Sequence, residues 1–176
     1  LLSSAASDVY KRQVQYTEKD NDKVFIFLDT NLANTDAGHL CDKRQQWLRE
    51  TLDKEQKNKI YIFMHHNPLA IGHINSDNIG LVQREDLKKI LLQYQNSIQH
   101  IFFGHQHVTS SGKYLDITFS SPRSTWSPLV PNFLDRYRLG TANTDPNYNI
   151  VLLEEDSLIV HSEDFLKTDV NWFTDN

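Results

Sequence analysis

Three short apolar runs recur at intervals of a little under forty residues: KVFIFLDT at 23–30, KIYIFM at 59–64 and IQHIFF at 98–103. Each is β-branched and aromatic over consecutive positions, the pattern of a strand buried on both faces. Between the first two, residues 42–57 read as a helix with Trp47, Leu48 and Leu52 on one side, closed near Asn58. Between the second and third, 84–95 carries Leu87, Ile90, Leu91 and Tyr94 at i, i+3, i+4 and i+7, one apolar stripe. Strand, helix, strand, helix, strand predicts an α/β fold built on parallel strands with right-handed crossovers. The last third is different. Residues 113–119 alternate, 120–147 are long, polar and without period, and 148–153 with 158–165 read as a hairpin around EEDS. The tail at 167–176 is expected to be loosely held, with Trp172 and Phe173 as docking residues.

Composition narrows the function. A net charge of −5 argues against binding a nucleic-acid polymer, which needs a basic face to replace counterions. It does not exclude a small phosphate-bearing substrate, because bound cations supply positive charge locally. No apolar run approaches the roughly 20 residues of a membrane helix, so no membrane segment is expected. Cys41 is the only cysteine, so no internal disulfide can form. A cytoplasmic location is expected on that basis. Cys41 opens the first helix, where a structural role is expected.

The chain begins LLSSAASDVYKRQ, without methionine. Ser3 to Gln13 match the translation of a transposon-type sequencing adapter. Residues 1–13 are therefore read as an adapter-derived scar and left out of fold reasoning. Residues 14–166 are read as the folded part.

Two of the strands end in histidines: His65 and His66 after the second, His105 and His107 after the third. Functional groups in open α/β sheets collect at the carboxyl ends of strands, so the two clusters are expected to face one crevice. Imidazole is the commonest neutral ligand for Zn, Mn or Fe. A single residue, Gln106, between two histidines lets both rings project to one side of an extended segment, and Gly104 allows a sharp turn. His39, His73, His100 and His161 read as surface or capped core residues. Burying four imidazoles at two strand ends without an ion would leave ring nitrogens to satisfy.

The order MHHNPL, helix, IFFGHQH, then YNIVLL resembles the C-terminal half of calcineurin-like metallophosphoesterases, with both H-x-x-P and G-H-x-H present. The stretch FLDTN…GHLCDKRQQWLRETL resembles the class III cyclic-nucleotide phosphodiesterase branch. The resemblance runs from about residue 23 to 165. It implies an α/β fold that is part of a four-layer α-β-β-α sandwich whose N-terminal half is missing. It also implies two divalent or trivalent ions (Fe, Mn or Zn), which activate water for in-line attack on a small phosphodiester such as a 3′,5′-cyclic nucleotide. His65, His105 and His107 are the implied metal ligands, the last two serving different ions. His66 is expected to support a ligand or face substrate. Arg123, within SSPRSTW, is a candidate phosphate contact, and Trp126 either stacks on a base or covers the core. Asp29 is read as structural, and Asn67 replaces a proline or histidine common at that position.

The family's D-x-H, G-D-x-x-D and G-N-H motifs are absent from residues 14–64. The chain alone is therefore expected to bind metal weakly and hydrolyse nothing, and to leave an apolar sheet face uncovered. Other phosphoesterases of the superfamily (phosphomonoesterase, pyrophosphatase, glycerophosphodiesterase) and a non-catalytic degenerate member remain alternatives. A metallo-β-lactamase-type hydrolase is disfavoured, since no H-x-H-x-D-H run exists.

Overall fold

The apolar runs become neighbouring parallel strands in a computed structural model that describes residues 14–141 and 143–165. The expectations for residues 1–13 and 167–176 lie outside the described residues. The sheet begins with β1 (Tyr16–Asp20), which turns through Asn21 (φ 53°) into β2 (Lys23–Phe27). Then come α1 (Asp42–Glu55), β3 (Lys59–Phe63), a short α2 (Ile74–Asn78), α3 (Arg84–Tyr94) and β4 (Ile98–Phe102). Next are β5 (Ser110–Tyr114) and β6 (Ile117–Ser121). The two-residue β7 (Val130–Pro131) and β8 (Leu139–Gly140) follow, and the hairpin β9 (Asn147–Leu153) and β10 (Leu158–Asp164) ends the described chain. Six strands lie in the order β1-β2-β3-β4-β6-β5, with β2, β3, β4 and β6 parallel and the two edge strands antiparallel.

The steps β2→β3→β4 all move one way across the sheet. Right-handed crossovers then place α1 and α3 on the same face. There Val24, Ile26, Ile60, Ile62 and Ile101 pack with Leu48, Leu52, Leu87 and Leu91, each at most 1 % exposed. Each such burial stabilises by about 2 kcal/mol. The Tyr94 hydroxyl donates to Asp53 and ties α3 to α1. Buried Glu55 at the end of α1 meets Lys19 of β1 at 2.6 Å.

Among the described residues, neither α1 nor α3 packs on the opposite face. It holds a cross-strand row of stacked rings, Tyr16, Phe27, Phe63 and Phe102, with successive centroids 4.5, 4.8 and 4.6 Å apart. Phe25 and Tyr61 form a second row 5.5 Å apart. Phe25, Phe27 and Phe63 are only half-buried. β2 is therefore sealed on one face only, whereas Tyr61 of β3 and His100 and Phe102 of β4 are buried on the ring-bearing face too, so the two-sided burial that the apolar runs predict is met in part. Phe and Tyr at alternate positions satisfy the same pattern whether or not a second layer covers them.

The sequence reading of 120–147 does not anticipate the short pair β7 and β8, and two further elements differ from what the sequence predicts. β1 is polar outside Tyr16 and gives no apolar signal, yet pairs with β2 along its whole length. The alternating run at 113–119 is split by Leu115 (φ 58°) into the turn of the β5–β6 hairpin.

Candidate metal centre

Backbone pairing continues past the strand ends and brings the histidines together. The Met64 N–H donates to Phe102 O at 3.0 Å, and the Gly104 N–H to His65 O at 3.0 Å. His65, His66 and His105 then offer ring nitrogens that all lie within 4.8 Å of one another, an arrangement that can hold a metal ion. His105 Nδ1 and His65 Nε2 are 3.1 Å apart. Two nitrogens on one tetrahedral zinc, at about 2.1 Å each, would sit about 3.4 Å apart, so the spacing suits a shared ion. His105 Nε2 is buried and makes no hydrogen bond.

All three rings are held toward the neutral, lone-pair-bearing form. Burial lowers the His65 pKa, and neighbouring His107 adds to this. His66 is pushed down to about 4, first by burial and then by His105 and His65. Burial also lowers His105, with His65 and His107 in support, against the opposing charge of Asp36 and the backbone of Ile79.

The two members of the His65–His66 pair do different work. His66 is 3 % exposed. Its Nε2 lies 3.2 Å from Asp36 O and its Nδ1 2.7 Å from Thr30 Oγ1. A carbonyl only accepts, so Nε2 carries the proton and Nδ1 accepts from the Thr30 hydroxyl. Both nitrogens are thereby occupied, and His66 holds the loop from Thr30 to His39 against the cluster. Gly38 is required here: a Cβ on it would fall 2.4 Å from His66 Cγ. Gly104, by contrast, has room, with nothing nearer than 3.9 Å.

His107 lies outside the group of three. The alternation expected of an extended H-Q-H segment fails because His105 (φ 67°) and His107 (φ 54°) are both left-handed. Gln106 between them is buried, and its amide donates to Asn67 Oδ1 and, at 3.3 Å, to Ser76 O. The polar spacer is thus the fixed point, and the two imidazoles are splayed around it. Such backbone strain costs on the order of 1 kcal/mol per residue and gathers at functional sites.

Arg123 is engaged elsewhere. Its guanidinium pairs with Asp164 of β10 and its N–H donates to Asn147 Oδ1 at 2.8 Å, which fastens the β9–β10 hairpin. Trp126 is 88 % exposed and covers no core. Asp29 pairs with Arg44, as a structural carboxylate should. His100 bridges Thr118 and Ser120, and His73 donates from Nε2 to Arg138 O at 2.7 Å. His39 lies 3.2 Å from the Gln83 amide, and His161 is exposed on β10. Thr30, Asp36, Asn67 and Gln106 escape sequence reading as parts of the site. Only the polar residue lodged between two histidines gave any sign.

A calcineurin-like phosphoesterase family model matches residues 9–109. The glycerophosphodiester phosphodiesterase GpdQ of Enterobacter lignolyticus (strain SCF1) is 27% identical over 114 residues, 65% of this chain and 41% of that protein. The 3′,5′-cyclic adenosine monophosphate phosphodiesterase CpdA of Pseudomonas aeruginosa is 28% identical over 82 residues, 47% of this chain and 30% of that one. The chain spans less than half the length of these relatives. Among solved structures, a dimetal phosphatase from Danio rerio superposes with a TM-score of 0.61 at 12% identity, over 94% of this chain and 61% of that one. At that identity the likeness is one of fold.

Proposed function

The chain belongs to the calcineurin-like phosphoesterase family, and from that premise we propose that its parent protein hydrolyses small phosphodiesters of the 3′,5′-cyclic nucleotide kind at a binuclear metal centre. His65, His105 and His107 are its contribution to the ligands. The observation that carries the reading is the apposition of His65 Nε2 and His105 Nδ1 at 3.1 Å, beside a buried His105 nitrogen without a partner. When bound, such ions supply Lewis-acid activation of water and stabilise charge on the phosphoryl oxygens. Iron, manganese and zinc all accept this donor type. The chain's own residues bias His65 and His105 toward the neutral form, Gln106 anchors the segment that carries His105 and His107, and Thr30 fixes His66.

Three imidazoles cannot complete a two-ion site. In this reading the remaining ligands and the second sheet of a four-layer sandwich come from polypeptide preceding residue 14, which would cover the Tyr16–Phe27–Phe63–Phe102 row. Arg123 reaches a phosphate only by exchanging Asp164. A cytoplasmic location is part of the same proposal; no helix among the described residues is long and apolar enough to cross a membrane. A second reading, glycerophosphodiester hydrolysis, is favoured by the longer match to GpdQ than to CpdA.

The test compares this chain with the gene extended upstream. Each is assayed with manganese or iron against cyclic AMP, a glycerophosphodiester and a phosphomonoester. The extended protein should cleave a diester in preference to the monoester, and the 176-residue chain should be inactive. Turnover by the chain alone above its His105→Ala variant would overturn the shared-site reading. An inactive extended protein lacking D-x-H and G-N-H would identify a degenerate member.

A further inference from the structure

Parallel strands β3 and β4 stop at Phe63 and Phe102, and the loops that leave them are tied to each other beyond the ladder. One tie is backbone, from the Gly104 N–H to His65 O at 3.0 Å. The next is made by side chains: the Gln106 amide donates to Asn67 Oδ1. His66 lies between the tied residues of one loop, and His105 between those of the other. Asn67 is 0 % exposed and Gln106 1 %. Both side chains are held on further sides. Asn67 Nδ2 donates to Leu69 O at 2.6 Å, and a Cβ on Gly80 would fall 2.5 Å from Asn67 Oδ1. The Gln106 amide also reaches Ser76 O of α2 at 3.3 Å, and its backbone N–H donates to Gly104 O at 2.7 Å. A buried amide pair adds little net stability over an apolar pair of the same shape, because both amides give up water. What it adds is direction: the bond forms at one separation and one orientation of the two loops. A Gln106 side chain turned inward also fits the left-handed backbone on either side of it, at His105 (φ 67°) and His107 (φ 54°).

We infer that Asn67 and Gln106 are a pair of positioning residues that sets the spacing of the His65 and His105 ring nitrogens for one shared ion. The inference rests on the reading of His65 and His105 as metal ligands, and adds what holds them at that spacing. Neither amide is itself a ligand. Their part is to keep the loop after β4 from sliding along the loop after β3 once the strand ladder has ended.

Cobalt(II) titrated into the whole chain, followed by calorimetry and visible absorption, tests it, with urea denaturation of the metal-free chain run alongside. Gln106→Met keeps the length of the side chain and removes its donor; Asn67→Leu removes the acceptor. Each should weaken cobalt binding at least about tenfold. At saturating cobalt the visible band should shift, because the ligands meet the ion at a changed spacing. The double variant should bind no more weakly than the weaker single one, since the two residues act as a unit. Its urea midpoint should return from that of Asn67→Leu toward that of the parent, because the amide stranded by the single change is gone, while its cobalt affinity stays low. Far-ultraviolet circular dichroism checks that each variant is folded. If both single variants bind like the parent while His105→Ala is weakened, the pair has no positioning role and the histidine reading stands. If affinity returns together with the midpoint in the double variant, the pair serves folding alone and the inference is wrong. If the parent chain binds no cobalt, or His105→Ala binds as well as the parent, the ligand reading falls and the inference with it.

Discussion

His100 and His105 lie five residues apart on one stretch of chain; His100 is buried and His105 half-buried, both are biased toward neutrality, yet their surroundings divide them. The Thr118 hydroxyl donates to Gln99 O at 2.9 Å, so it accepts from His100 Nδ1–H at 2.8 Å. His100 Nε2 then accepts from Ser120 Oγ at 2.9 Å. Both nitrogens are satisfied, and the ring is a rivet between β4 and β6. His105 has one nitrogen facing another imidazole and one buried with no partner. Shielding alone does not separate a structural histidine from a functional one. The separation lies in whether the second nitrogen has somewhere to go.

The comparison breaks most readily on metal affinity. His105→Ala should weaken cobalt binding at least about 100-fold, more than the loss of a supporting residue costs, whereas His100→Ala should leave the dissociation constant within about twofold. Equal losses in a calorimetric titration would erase the distinction. Stability should give the reverse order. Removing the His100 ring leaves a cavity and strands the buried Ser120 hydroxyl, so urea denaturation should show a loss of about 3 kcal/mol. His105→Ala discards an already unpartnered nitrogen and should cost less than about 1 kcal/mol.

pH sharpens the contrast. An unfolded histidine titrates near 6.5, and folded His100 is pushed down to about 4 by burial. Between those values the unfolded chain binds more protons, so the His100 contribution is fully present above about pH 6.5. It diminishes as pH falls and is lost through pH 4, an effect of up to about 3 kcal/mol. His66 adds a similar fall. His100→Gln cannot titrate, and should flatten the decline in denaturation midpoint between pH 7 and 4.5; an unchanged slope would mean that His100 is not shielded. The smallest expected effect concerns strain. His107 is left-handed, and His107→Gly should raise stability by about 1 kcal/mol, visible as a shifted midpoint at unchanged m-value.

How far the fold could be read depended on whether its signal was periodic. The stripes Leu87–Ile90–Leu91 and Trp47–Leu48–Leu52 and the three apolar runs placed α1, α3 and β2 to β4 within a few residues of their observed ends. β1 was invisible because its residues earn their place by pairing with β2, a contact no local pattern records. Part of the site was legible for a topological reason: the ends of adjacent parallel strands must lie together, so His65 and His105 had to meet. Which further histidine joins them was not, because that turns on the left-handed backbone at 105 and 107, which residue type does not dictate. Thr30 and Asp36 were hidden for another reason. Their part depends on a loop folding back onto His66 across 36 and 30 residues of sequence.

The common direction of the two crossovers has a bearing on how substitutions will be tolerated. With α1 and α3 stacked on one side, the aliphatic row of Val24, Ile26, Ile60 and Ile62 has no slack, while Phe25, Phe27 and Phe63 still show ring edge to water. A deep mutational survey of this polypeptide by itself would therefore score neighbouring positions along β2 in an odd–even rhythm, intolerant then permissive. Covalent extension or a complementing second fragment that roofs the rings would erase that rhythm, which makes the rhythm itself a gauge of whether the other layer has arrived.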